Sequence, residues 1–159
     1  MEKFEIKPAS RVHATQLAPR LRPADQLEVY RASGMNSLDA LIDSVAVSDE
    51  DMCWTAMLAG HPVAMFGTNE LVNDGTEDTI GGIWLLASPA IYTNKRDFHR
   101  NCQKYLDKMH ERYRYLTNFV DADNLVTMQW LPRLGFAPVQ KIEDFGVQGT
   151  PFIQYVSER

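Results

Sequence analysis

The sequence predicts an α/β (α+β) protein built on one mixed central sheet, and three observations carry that expectation. Ile80 to Ala87 is a near-continuous apolar run, the pattern of a strand buried on both faces. Lys95 to Tyr113 follows as the longest helical pattern, with Phe98, Cys102, Leu106, Met109 and Tyr113 keeping one face apolar. Tyr115 to Val120 then reads as a further strand, and a right-handed crossover through the long helix makes the two strands parallel neighbours.

The remaining elements fill out a sheet of about seven strands with flanking helices. Lys3 to Lys7 alternates and reads as a strand ending at Pro8. Arg11 to Ser33 is helical but interrupted by Pro19 and Pro23, with Pro23 placed to start a helix and Ser33-Gly34 to stop it. Ser37 to Val45 gives another helix, capped by Ser37, with Leu38, Leu41 and Ile42 on one side. Cys53 to Leu58 and Val63 to Thr68 flank the turn residues Ala59-Gly60-His61-Pro62 and predict a hairpin. Leu125, Met128, Leu131 and Leu134 recur every third residue, with Asp123 or Asn124 as N-cap and Gly135 as stop. Pro132 lies inside that helix, where it should kink or shorten it. Ala137 to Phe145 and Phe152 to Val156 form a second hairpin around Gly146 to Gly149. No repeat or linker divides the chain, so residues 1–159 are expected to form one domain.

Composition narrows the function classes. A net charge of −5 and an isoelectric point near 5.3 argue against a protein that wraps a nucleic-acid backbone. No apolar run reaches the length of a membrane span, and the start Met-Glu-Lys-Phe-Glu has no apolar signal core. Cys53 and Cys102 form neither a redox nor a zinc motif and fall on apolar faces, which makes them core thiols of a reducing compartment. His13, His61, His99 and His110 show no metal-ligand spacing, so no metal site is expected.

Two sets of residues carry a family resemblance. The strand Tyr115 to Val120, the helix start at Asn124 and the closing Gly135-Phe136 resemble the fifth-strand-to-fourth-helix passage of the GNAT superfamily of acyltransferases, and the order of elements agrees over nearly the whole chain. Within it, Arg22 to Glu28 before Ser33-Gly34, Pro62 to Gly67, Trp84 to Leu86 and Trp130 to Phe136 look like a GNAT-like family of tailed bacteriophages. Some members of that family are labelled internal virion proteins of short-tailed phages, others acetyltransferases. The resemblance implies that the strands at Ile80 and Tyr115 splay apart at their C-terminal ends.

It also implies a place for acetyl-CoA, whose pyrophosphate would sit on the N-terminus of the long helix. The residues that would hold it are Thr93, Asn94, Lys95, Arg96, Arg100 and Asn124. The family uses glycines in that loop, because a Cβ blocks the approach of phosphate to backbone. Here Ser88 to Asn94 contains no glycine, and Pro89 removes a donor. Asn94, with Asp97 three residues on, reads as a self-capped helix start that sets a carboxylate where phosphate would lie. The family's general-acid Tyr, seven residues after the Asn, falls on Leu131. Tyr92 or Tyr105 are substitute acids, and each also reads as packing. Glu70, Asp121 and Asp123 are candidate bases, and each also reads as a solvated carboxylate or, for Asp123, a cap.

One surface pattern stands apart: Arg96, Arg100, Lys104, Lys108 and Arg112 recur at every fourth position of the long helix. This basic ridge on an acidic protein is a candidate partner-binding surface, with Asp97, Asp107 and Glu111 near enough to neutralise part of it. The leading expectation is a bacteriophage GNAT-fold protein of the host cytoplasm or the virion. It would act by binding a virion or host protein, with neither nucleic acid nor membrane as partner. The alternative is an acetyl-CoA-dependent N-acetyltransferase acting on a host protein or small amine.

Overall fold

The computed structural model describes residues 2–159. Seven strands make one sheet in the order β1-β2-β3-β4-β5-β7-β6: β1 (Glu5–Pro8), β2 (Cys53–Leu58), β3 (His61–Val72), β4 (Ile80–Ala87), β5 (Tyr115–Asp121), β6 (Ala137–Phe145) and β7 (Thr150–Glu158). Every neighbouring pair is antiparallel except β4 and β5. The parallel pairing covers only Ile80↔Tyr115, Gly81↔Leu116 and Gly82↔Thr117, and beyond Gly82 the two strands part. Gly81 is needed at the joined end, because a Cβ there would lie 2.5 Å from the Tyr113 ring.

Helices cover both faces. On one side α1 (Arg11–Leu17), α2 (Pro23–Ser33) and α3 (Ser37–Val47) enclose a cluster of Leu17, Leu21, Leu41, Met65 and Leu86. On the other lie α4 (Lys95–Arg112) and α5 (Leu125–Trp130), over a larger cluster that includes Phe66, Phe98, Tyr105, Met109, Leu116 and Phe136. Strand alternation divides the side chains between the two: Met65 and Leu86 point one way, Ala64, Phe66 and Ala87 the other.

Most of the expected elements are present, and the differences have local causes. Ala59 (φ 51°) and Gly60 (φ 79°) form a two-residue turn, so β3 starts at His61 rather than Val63. The cap of α3 is Asn36, whose side chain accepts the Asp39 amide at 2.8 Å, and not Ser37. Pro132 stops α5 after six residues, and Leu131–Leu134 continues as a 3-10 turn. Gly34 closes α2 in the left-handed region, and the β6–β7 turn docks on it, its Val147 and Gln148 amides donating to Ala32 and Arg31 carbonyls. The apolar patterns of these elements predict Phe98, Cys102, Leu106, Met109, Trp84, Leu131 and Phe136 in the core; all are buried except Leu106 and Trp84, which are only partly so. Both line the space that opens between β4 and β5.

Candidate functional site

Two features lie at the open end of the sheet, where β4 and β5 part. The first is a cleft of about 360 Å³ between the strands, walled by apolar and aromatic side chains such as Phe66, Trp84, Tyr105 and Phe119. The second is a groove of about 630 Å³ at the head of α4, between that helix and α5.

Three polar side chains of α2 and the turn before it control the cleft. Arg22 and Asp25 form a buried bidentate pair, Nε to Oδ2 at 3.0 Å and Nη2 to Oδ1 at 2.9 Å. In the β3–β4 register Ala64 faces Ala87 and the Ser88 amide reaches the Val63 carbonyl. Ile83, Leu85 and Ala87 therefore turn their backbone groups away from β3 and toward the cleft. The groups of Ala87 are taken by the protein itself: its amide donates to Asp25 Oδ2 at 2.9 Å, and its carbonyl accepts the Arg22 amide at 2.8 Å.

Glu28 lies one turn further along α2. Its Oε2 accepts from Asn124 Nδ2 at 2.6 Å and its Oε1 from the Asp121 amide at 3.4 Å. Burial pushes its carboxyl up to about 7, and the nearby Asp25 and Asp121 add to the rise. Asn124 also caps α5, accepting the Thr127 amide at 3.4 Å, so one side chain fixes both the helix start and the carboxyl. Arg31 Nη1 closes this corner by bridging Asp121 at 3.0 Å and Asp123 at 2.7 Å.

At the groove, Ser88 caps a 3-10 turn over Pro89–Asn94 that leads into α4. Asn94 is buried, accepts the Asp97 amide and donates to the Glu2 carbonyl at 3.0 Å. Asp97 differs from expectation: its carboxylate turns away from the groove and accepts the Phe4 amide at 2.8 Å. The groove is lined by Lys95, Arg96, Arg100 and Arg133 around Ile91, Phe98, Trp130 and Val126, and no carboxylate among the described residues lines it. Tyr92 stands at its edge, its hydroxyl accepting from Arg22 at 3.0 Å.

The candidate residues thus fall into separate places. Thr93, Lys95, Arg96 and Arg100 are exposed at the head of α4, and Asn94 is buried beneath them. Asn124 belongs to the cleft corner with Glu28. Glu70 is exposed on the far half of β3, held by Asn73, and Asp123 is exposed and paired with Arg31. Neither faces the cleft. The basic ridge does not form a single line, because a step of four residues turns about 40° further round the helix each time. Arg96 and Arg100 reach the groove, Lys104 and Lys108 lie over the Tyr105 ring, and Arg112 pairs with Asp49 and Asp51. Asp97 is turned to Phe4 and Asp107 is bonded to Arg159, so neither neutralises the ridge. Arg22 to Glu28 carries part of the family resemblance, but the roles of Arg22, Asp25 and Glu28 in the cleft escape sequence reasoning, since each reads as the polar side of a surface helix. The available signal was the Arg22–Asp25 spacing at a helix start.

The backbone matches solved acetyltransferase structures over the full chain, with TM-scores of 0.65 to 0.72 in the comparisons. The chain has the GNAT fold. A ribosomal-protein-alanine N-acetyltransferase from Brucella melitensis superposes at TM-score 0.72 and 11% identity, covering 98% of this chain and 99% of that one. A GNAT-family acetyltransferase from Bacillus anthracis gives 0.71 at 10% identity over 99% and 98% of the two chains. The ribosomal-protein-S18-alanine N-acetyltransferase from Escherichia coli gives 0.68 at 14% identity over 98% and 93%. Residues 63–140, just under half of the chain, match the model of a family described as "Bacteriophage T7, probable scaffold protein Gp13". No curated protein matches the sequence.

The GNAT fold implies acyl-CoA, and the residues present fit it poorly. The Ala87 groups at the free edge of β4 are engaged internally. The turn before α4 contains Pro89 and no glycine, and Asn94 takes the Asp97 amide at the helix start. Leu131, at the expected general-acid position, is buried and carries no proton to give. What remains is the positive charge of the groove.

Proposed function

We propose that this chain is a bacteriophage protein that uses the GNAT fold as a binding module in virion assembly or in modulating a host protein, with an acyl-CoA site that is degenerate. The observation that carries this reading is the occupation of the outer end of the β4 edge: the Arg22 amide and the Asp25 carboxylate take the Ala87 backbone groups, which would otherwise face a ligand in the cleft. The match of residues 63–140 to a phage scaffold-protein family supports the same reading. In it the groove cations Arg96, Arg100 and Arg133 serve a protein partner, and the chain works in the host cytoplasm or in the virion.

One observation favours the acetyltransferase alternative. Glu28, with its carboxyl at about 7, is poised near neutral pH inside the cleft, where a base would take a proton from an amine. Fractionation of phage particles and assembly intermediates from infected cells separates the readings. The binding reading expects the chain in a particle or intermediate fraction or in a complex with a host protein, and its loss from that fraction or complex on Arg96→Glu with Arg100→Glu. A chain absent from all particle fractions that turns over acetyl-CoA, and stops doing so on Glu28→Gln, overturns it.

A further inference from the structure

The groove at the head of α4 holds positive charge that no carboxylate among the described residues answers. Lys95, Arg96, Arg100 and Arg133 form no ion pair among the described residues, although the protein carries a net charge of −5. Between the cations lie Trp130, stacked on the buried Phe98 at 5.8 Å, and the exposed Val126, together with His99, Gln103 and Gln129. An occupant must therefore bring carboxylates together with apolar side chains.

Such a segment exists on the same molecule. The tip of the β3–β4 hairpin, residues 69–79, made of the last four residues of β3 and the connection to β4, carries Glu70, Asp74, Glu77 and Asp78 with no lysine or arginine. Its Leu71 is 49% exposed and its Val72 39% exposed. Asp78 pairs with Arg114, whereas Glu70 and Asp74 accept only from the neutral Asn73 and Thr76, so their charge is not cancelled. The connection projects from the end of β4 opposite the groove. Eight residues of β4 separate the two ends, roughly 26 Å at strand rise, so one chain cannot close on itself.

We infer that the occupant of the groove is the acidic tip of the β3–β4 hairpin, residues 69–79, of a second copy of this chain, giving a head-to-tail contact. Glu70, Asp74 and Glu77 meet Arg96, Arg100 and Arg133, while Leu71 and Val72 cover the apolar floor at Trp130 and Val126. Because the two surfaces differ and lie at opposite ends, the contact is heterologous and repeats, leading to a ring or an open file of copies rather than a two-fold dimer. A small tip entering a groove buries less than the roughly 800 Å² per partner of a stable interface, so association is concentration-dependent. The inference rests on the binding reading and names a partner for it.

Analytical ultracentrifugation of the purified chain from about 1 μM to about 1 mM tests it directly. Average mass should climb with concentration and fall back when salt is raised from about 0.05 to about 0.5 M. Arg96→Glu with Arg100→Glu, and separately Glu70→Lys with Glu77→Lys, should each weaken association about tenfold or more. All four residues are exposed, and an unchanged circular dichroism spectrum and melting temperature verify the fold. An equimolar mixture of the two variants should associate again, because each retains the half that the other needs. A wild type that stays monomeric throughout, variants that associate as the wild type does, or a mixture that fails to recover each overturns the inference. If a monomeric wild type instead takes up an acidic segment of another phage protein in the groove, self-association is wrong and the binding reading stands.

Discussion

The two ends of the β4–α4 unit contain similar residues and treat them in opposite ways. At the joined end, Arg112 meets Asp49 and Asp51, Arg114 meets Asp78 and Glu158, and the Tyr113 hydroxyl donates to Asp49. There the strands pair and the Tyr113 ring lies on Gly81. At the open end the strands diverge, burial raises the Glu28 carboxyl, and Arg96 and Arg100 face solvent with no carboxylate of the described residues lining their groove. The same helix thus pairs Arg112 with carboxylates at one terminus and leaves Arg96 and Arg100 without an ion pair among the described residues at the other. Charge is informative about function only where the fold has left it unanswered.

The sharpest way to break this contrast is by volume. Leu116 is fully buried at the joined end, and Leu116→Ala should cost about 2 to 5 kcal/mol of stability in chemical denaturation. Leu106 is partly exposed to the cleft, so Leu106→Ala should cost less, about 1 to 2 kcal/mol. Equal losses would mean that the cleft is as well packed as the core.

Next in size is the effect of Glu28. Its folded value of about 7 lies above the ordinary 4.5, so the folded state holds the proton more tightly than the unfolded chain. This group's stabilising contribution is complete below about pH 4.5 and is lost as pH rises through about 7. Glu28→Gln removes the titration and keeps an acceptor for Asn124. The variant should gain about 1 to 3 kcal/mol relative to wild type between pH 5 and pH 8, read from paired melting curves. A difference that does not change with pH would place the carboxyl in water.

The smallest effect concerns the cations themselves. Arg112→Ala breaks partly exposed pairs and should cost about 0 to 1 kcal/mol, while Arg100→Ala, which breaks none, should leave the melting temperature unchanged. A measurable loss in Arg100→Ala would reveal a structural partner for that side chain.

The fold was legible because its signals are local. The limits of β2, β4 and β6 follow from apolar runs and turn residues, and Gly34 and Gly135 end their segments in the left-handed conformation that favours glycine. Asn69–Val72 of β3 escaped because that half of the strand is polar or exposed and pairs through backbone alone. The site was less legible, since its geometry depends on distant contacts. Asn124 is readable as a cap, but its bond to Glu28 joins residues 96 positions apart. Leu106 and Trp84 look like core in any periodicity plot, and only the divergence of two strands leaves them half open. Asp97 looked like a charge in the anion site until the Phe4 amide, from the first strand's approach, drew it to the other side.

The central proposal is that the open end serves a protein partner and has lost acyl-CoA as a ligand. Calorimetric titration of the purified chain with acetyl-CoA tests it most directly. The account predicts no binding tighter than about 0.1 mM, since screened surface cations cannot replace oriented backbone donors on a pyrophosphate. A dissociation constant in the low micromolar range, lost in Arg96→Ala, would contradict it and make the chain a working acetyltransferase.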